Sequence, residues 1–367
     1  PHCLMKSISF TRCTRAAALL ALLAGLWGTT GCSRNGVKPA PTNYATNNGT
    51  FANPIMDGAD PWVLKRDSFY YFCKSENGSI LVSKSKRLTQ PGTFSRVWSP
   101  PGQGWNRTNV WAPELHYFDG KWYIYYAAGE AGPPFIHQRS GVLESVTDDP
   151  QGAYLDKGML YTGDDLANPA SAKWAIDLTP FRLNGQLYAA WSGWEENATT
   201  DRTPQHLYIA RMSNPWTISS NRVKISSPTQ PWEDGAELDL NEGPELLKRN
   251  GKAFIIYSCR ESWLPAYQMG QLTLGDTLAD PMVPAHWQKK GPVFSGTNDV
   301  YGVGHPSFTV SPDGTEDWIT YHTKKDPSPG WNRDERLQKF TWNPDGSPNF
   351  GTPVARGAML PLPAGEK

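Results

Sequence analysis

Cysteine is scarce in this chain, and an excess of either charge is absent. Of 367 residues five are Cys, and three of those precede residue 33, leaving Cys73 and Cys259, too few for a disulfide-stapled scaffold. Both close apolar runs, Tyr70-Tyr71-Phe72-Cys73 and Ile255-Ile256-Tyr257-Ser258-Cys259, where a free thiol acts as a small hydrophobe, so no bridge is expected. Lys plus Arg and Asp plus Glu number 35 each. The balance gives no overall field to attract nucleic acid or an anionic lipid surface, and a neutral partner is expected. Long apolar runs are missing, save residues 16–26, which follow Lys6, Arg12 and Arg15 and are too short to cross a bilayer. That pattern reads as an export signal starting at Met5, with residues 1–4 lying before the natural start.

The signal closes on Gly31-Cys32, which resembles the bacterial lipobox. The resemblance implies cleavage before Cys32 and a lipid on its thiol, hence a membrane-anchored exported protein that meets the bilayer only through that anchor. Residues 33–50, rich in Asn, Pro, Thr and Gly, read as a tether, and the folded domain should occupy 51–367. What is abundant there is Trp (16), Gly (34) and Pro (32), a mixture suited to many short strands joined by turns.

One unit recurs five times. An apolar strand meets a turn at Asp67, Asp119-Gly120, Asn184-Gly185, Asn250-Gly251 and Asp313-Gly314, and an aromatic strand such as Trp122-Tyr123-Ile124-Tyr125-Tyr126 follows. Asp-Gly and Asn-Gly supply the positive φ of tight hairpins, so each copy is a β-hairpin. Third strands follow at 80–83, 141–144, 207–210, 269–272 and 337–340, and fourth strands near 97–98, 158–160, 223–225, 292–294 and 358–360. The spacing predicts an all-β, five-bladed β-propeller with four antiparallel strands per blade, and disfavours a pair of β-sandwiches.

The first strand of each blade lines the central channel of a propeller, so equivalent strand starts form a ring. Aligned on their turns, these positions hold Asp60, Ala112, Asp177, Gly243 and Pro306, with Glu242 and His305 one residue earlier in the last two copies. Single Asp residues at strand starts usually cap turns. Three carboxyl groups at one end of one channel are costly to bury and point to a site. Such a cluster suits glycosidic hydrolysis, in which one carboxylic acid protonates the leaving oxygen and a carboxylate activates water or attacks.

At these residues the sequence resembles glycoside hydrolase family 43, five-bladed arabinanases, arabinofuranosidases and xylosidases. The likeness runs through Asn53-Pro54-Ile55, Gly58-Ala59-Asp60-Pro61, Trp111-Ala112-Pro113-Glu114, Ala175-Ile176-Asp177, Asn241-Glu242-Gly243-Pro244-Glu245 and Gly304-His305. It implies an inverting mechanism with Asp60 as general base, Asp177 as modulator of the acid's pKa and Glu242 as general acid. Glu245 is the rival acid, but its turn-aligned partner is Glu114, which favours a structural role. The resemblance also implies sugar contacts from Trp62, Trp111, Ile176, Trp194, His305 and Arg336. It requires no cofactor, and it allows a calcium ion in the channel near His305, reached through water. The runs Trp191-Ser192-Gly193-Trp194-Glu195, Met212-Ser213-Asn214-Pro215-Trp216 and 312–318 look most like exo-acting α-L-arabinofuranosidases that trim arabinan from plant cell walls. Val303-Gly304-His305-Pro306 departs from the family pattern, which has Pro before that Gly and Asn after the His.

An endo-arabinanase, a β-xylosidase or a galactofuranosidase would share the three carboxyl groups and differ in its loops. A glycan-binding propeller without catalysis would lack one of them, and a protein-binding propeller would need none. A monomer is expected. Replacing the lipid-bearing thiol in Cys32→Ser should move the protein from the membrane to the soluble fraction on cell fractionation; unchanged partitioning would remove the anchor.

Overall fold

A computed structural model of the protein describes residues 49–367, which contain strands and two short 3-10 turns but no α-helix. The leader, Cys32 and nearly all of the tether lie outside the described residues. Five antiparallel sheets of four or five strands succeed one another along the chain. Their hairpins form where expected. Asp67, Asp119, Asn184 and Asn250 adopt φ between 49° and 54°, which short polar side chains tolerate, and Gly314 adopts 77°. The first strands are Trp62–Arg66, Thr108–Phe118, Ala175–Leu183, Asn241–Arg249 and Tyr301–Val310. Each contacts the next, and the fifth returns to the first, so they close a ring.

Packing explains why the second strands are apolar without alternation. Tyr71 and Cys73 face blade 2, against Leu115 and Ile124, whereas Tyr70 and Phe72 face blade 5, against Trp318 and Leu337. In blade 4, Ile255 and Tyr257 join the core shared with blade 3, and Phe254 and Ile256 join the one shared with blade 5. Each blade is thus buried on both faces, and every seam between blades is a core. Cys73 and Cys259 sit in these seams as buried free thiols.

The ring closes differently from the sequence expectation. Residues 358–360 do not supply the fourth strand of blade 5. Met56–Asp57 does, pairing with the third strand at Met56↔Glu335, while Met359–Pro361 pairs with Thr50–Ala52. Met56–Asp57 thereby covers part of the outer edge of blade 5, and the second pair joins the two ends of the described domain. Asn53 locks the join: its amide donates to the Leu337 carbonyl at 2.7 Å and its carbonyl oxygen accepts the Leu337 N–H at 2.9 Å. The other four outer strands fall where expected, and blade 3 carries an extra two-residue strand, Thr217–Ile218, beside Val223–Ser226.

Phe51 is buried in the closing seam against Trp318. Phe51→Ala should therefore lower the unfolding free energy by about 3–5 kcal/mol in a denaturant titration, the range for deleting a buried aromatic ring, and a loss under about 1 kcal/mol would show that this seam contributes little.

Candidate active site

Every blade bears a left-handed residue at an equivalent position near the start of its inner strand, Asp60 (φ 53°), Ala112 (40°), Asp177 (54°), Gly243 (55°) and His305 (53°), and blades 2 and 5 carry a second one three residues earlier, Asn109 and Gly302. In blades 2 to 5 the strand ladder shifts register there, which marks a β-bulge. The left-handed conformation costs about 1–2 kcal/mol for a residue with a Cβ. Its effect is to aim consecutive side chains at the channel. Ile176 and Asp177 line the same cavity, although neighbours in a regular strand point to opposite faces. The structural alignment corrects the sequence alignment by one residue in blade 5, where His305 and not Pro306 occupies the slot. Pro61, Pro113, Pro244 and Pro306 then fall together one residue later.

Asp60, Asp177, Glu242 and His305 converge from four blades on one cavity of about 620 Å³. Their electrostatics diverge. Burial opposes the charge on Asp60, but the Arg333 guanidinium at 3.3 Å, together with His305 at 3.4 Å, outweighs it and holds the carboxyl well below the usual range. His322 is itself neutral, pushed down to about 3 by burial and Arg333, so its Nδ1 acts as acceptor for the Asp60 backbone N–H at 3.1 Å. Glu242 is raised to about 7, mainly by burial, against a hydrogen bond from the Tyr267 hydroxyl at 2.8 Å. Burial and the nearby Glu242 and Asp60 charges also raise Asp177, whose Oδ2 accepts the Gly243 N–H at 3.0 Å. Near neutrality one carboxylate is therefore firmly ionised beside two that retain protons readily. Tyr267 links the two sides: its hydroxyl holds Glu242 and its ring stacks on His322 at 5.4 Å. Gly304 makes room for that ring, because a Cβ there would overlap it.

The family model for glycosyl hydrolases family 43 matches residues 51–348. The chain belongs to glycosyl hydrolase family 43. It is 37% identical to an extracellular exo-α-(1→5)-L-arabinofuranosidase of Streptomyces avermitilis, over 96% of this chain and 72% of that protein. An α-L-arabinofuranosidase 43 of Humicola insolens is 36% identical, over 83% of this chain and 63% of that one. Among solved structures, an α-L-arabinofuranosidase from Lactobacillus brevis superposes with a TM-score of 0.76 at 33% identity, covering 84% of this chain and 98% of that one.

Of the sugar contacts expected in this hydrolase, Trp111, Ile176 and His305 line the cavity. Three others do not. Trp62, 7% exposed, wedges between blades 1 and 2, its Nε1–H donating to the Leu115 carbonyl at 2.7 Å and its ring 4.5 Å from His116. Trp194 is fully buried behind Trp174, stacked at 4.4 Å and 3°, and it is Trp174 that faces the cavity. Arg336, 2% exposed, is held by Asp334 and the Val354 carbonyl. It sits three residues along the strand from Arg333, about 10 Å at strand rise, so Arg333 is the arginine of the site.

Sequence reasoning passed over Tyr267, His322 and Arg333, and over Phe135, Trp263 and Trp331. A signal existed. Except for His322, all of these lie in, or just after, the segments joining second and third strands, 130–138, 260–267 and 325–332, which open on the cavity. A directly held calcium does not fit the residues present. Calcium wants several anionic or carbonyl oxygens, whereas Asp60 is engaged by Arg333 and its two neighbours favour protons. Among the described residues no group of three or more His, Cys, Asp or Glu side chains is placed to hold a metal ion.

Two residues beyond the left-handed slot, a second ring holds Trp62, Glu114, Thr179, Glu245 and Ser307. Thr179 donates its hydroxyl proton to Glu245 at 3.1 Å, and Glu114 pairs with His116 at 2.9 Å. Burial lifts Glu245 to about 8 and Glu114 well above its ordinary value, the latter further raised by Glu245. Glu245 does not line the cavity, in keeping with its pairing to Glu114. A carboxyl that keeps its proton in the fold stabilises the protein below its unfolded pKa of about 4.3, and that contribution fades as pH rises toward its folded value. Glu245→Gln should accordingly flatten the fall of Tm between pH 5 and pH 8; an unchanged slope would show that Glu245 is ionised in the fold.

Proposed function

We propose that the protein is an exported, exo-acting α-L-arabinofuranosidase that releases terminal arabinosyl units from arabinan or arabino-oligosaccharides with inversion. The observation that carries the reading is the contrast between Asp60, held ionised, and Glu242, raised to about 7, in one cavity. Asp60 takes a proton from a water as that water attacks the anomeric carbon. Glu242 gives its proton to the departing glycosidic oxygen, so the bond to the rest of the chain breaks as the new C–O bond forms. One displacement from the opposite face inverts the configuration. Arg333 and His322 orient Asp60, Tyr267 orients Glu242, the Asp60 charge favours the protonated acid by repulsion, and Asp177, itself raised by the Glu242 charge, modulates the acid by competing with it for a proton. The names of the relatives support arabinosyl as the sugar and export as the destination, together with the leader ahead of Cys32. Arabinofuranosyl, xylosyl and galactofuranosyl aryl glycosides assayed side by side test the sugar directly, with turnover of the arabinofuranoside expected to dominate.

A proton donor matters most when the leaving group is a poor one. Glu242→Gln should lower kcat on arabinan by about 10²–10⁴, the usual worth of general acid catalysis, and far less on a dinitrophenyl arabinofuranoside. Equal losses on both would remove Glu242 from the acid role. The acid must be protonated to act, so kcat/KM should fall as pH rises through about 7. Tyr267 favours the ionised form, and Tyr267→Phe should therefore shift that alkaline limb upward. A limb that stays in place would show that another group sets it.

A further inference from the structure

We propose that Trp263 and Trp331 form a stacking platform at the cavity mouth for the second and third sugar units of an arabinan chain. The inference rests on the arabinofuranosidase reading above. The carboxyl groups occupy the buried end of the cavity, so a chain whose terminal unit reaches them must run outward across the mouth. At that mouth stands Trp331, 61% exposed and part of the cavity wall. Of the exposed large apolar side chains among the described residues, Trp331 alone lines the cavity, and together with a second ring it makes an apolar patch of the kind that marks a binding surface. The ring of Trp263, from the equivalent segment of blade 4, lies 5.4 Å away and tilted by 53°, extending the apolar surface from one blade to the next.

Each ring carries a guanidinium, Arg202 at 5.2 Å over Trp263 and Arg333 at 5.3 Å over Trp331. Pentose rings present C–H faces bordered by hydroxyls, and aromatic faces edged by Arg donors match that chemistry. Arg333 also contacts Asp60, which places Trp331 one guanidinium away from the reacting carboxylates. The platform is set before any chain arrives. The Gly330 N–H donates to the Trp263 carbonyl at 2.9 Å, tying the two segments together, and the Lys324 ammonium donates to the Gly330 carbonyl at 2.5 Å, which fixes the blade 5 segment on its own strand. Blade 1, next to Trp331, joins its second and third strands by the tight Asn77-Gly78 turn, whereas the other four blades use segments of eight residues or more. The rim is therefore low beside the exposed ring, which leaves it a path for the chain.

The test compares arabinotriose with methyl α-L-arabinofuranoside, which has no second sugar. In Trp331→Ala and Trp263→Ala the ratio of kcat/KM for arabinotriose to that for the methyl glycoside should fall about tenfold, as for loss of one stacked ring, and KM should carry most of the change. Trp331→Phe, which keeps a ring, should restore most of the ratio. A ratio within about twofold of the parent's in both alanine variants, less than one ring contact is worth, would overturn the platform. A parent enzyme that cleaves neither arabinoside overturns the arabinan chain as occupant and the substrate reading with it, a result distinct from an unchanged ratio.

Discussion

The left-handed residue repeated at the head of every inner strand, a bulge in four of the five blades, is the constraint on which the site depends. Five strands pressed into a ring leave a narrow channel, and a regular strand would send only every second side chain into it. The left-handed residue breaks that alternation, so a blade can offer two neighbours at once, Ile176 with Asp177, or Glu242 beside the Gly243 amide that holds Asp177. The conformation is disfavoured for Asp, Ala and His, and it persists because the flanking strands are fixed by apolar seams on both faces of each blade. Stability in the seams and strain at the hub are two consequences of one architecture.

Charge is then sorted by neighbours more than by depth. Burial raises the pKa of all three carboxyls, yet Asp60 alone has a guanidinium in direct contact, with the His305 imidazole beside it, and it alone is driven far down. Glu242 receives a single neutral hydroxyl and stays high. Tyr267 and His322, stacked together, tie the positions of these opposite environments to each other. The ring beneath repeats the lesson without the cation: Glu114 and Glu245, lacking a guanidinium, both move upward.

Much of this was legible in the sequence, because it is written in local rules. Asp-Gly and Asn-Gly turns mark the hairpins, and their spacing gives the blades and the convergence of Asp60, Asp177 and Glu242. Closure by Met56–Asp57 was not legible, since a two-residue strand has no pattern. Nor was the bulge, because a left-handed Asp or His looks like any other; alignment on the recurring Pro would have placed His305 correctly. Trp194 and Trp174 form a stacked pair in which only burial tells which ring meets the cavity, and Arg336 and Arg333 differ by a distance along one strand that only the frame reveals.

The division of protons between Asp60 and Glu242 is the central claim, and neutron diffraction at about pH 6, one unit below the value to which Glu242 is raised, reads it directly. The account predicts nuclear density for deuterium on the Glu242 carboxyl and none on Asp60. Deuterium on Asp60, or a bare Glu242, would contradict it.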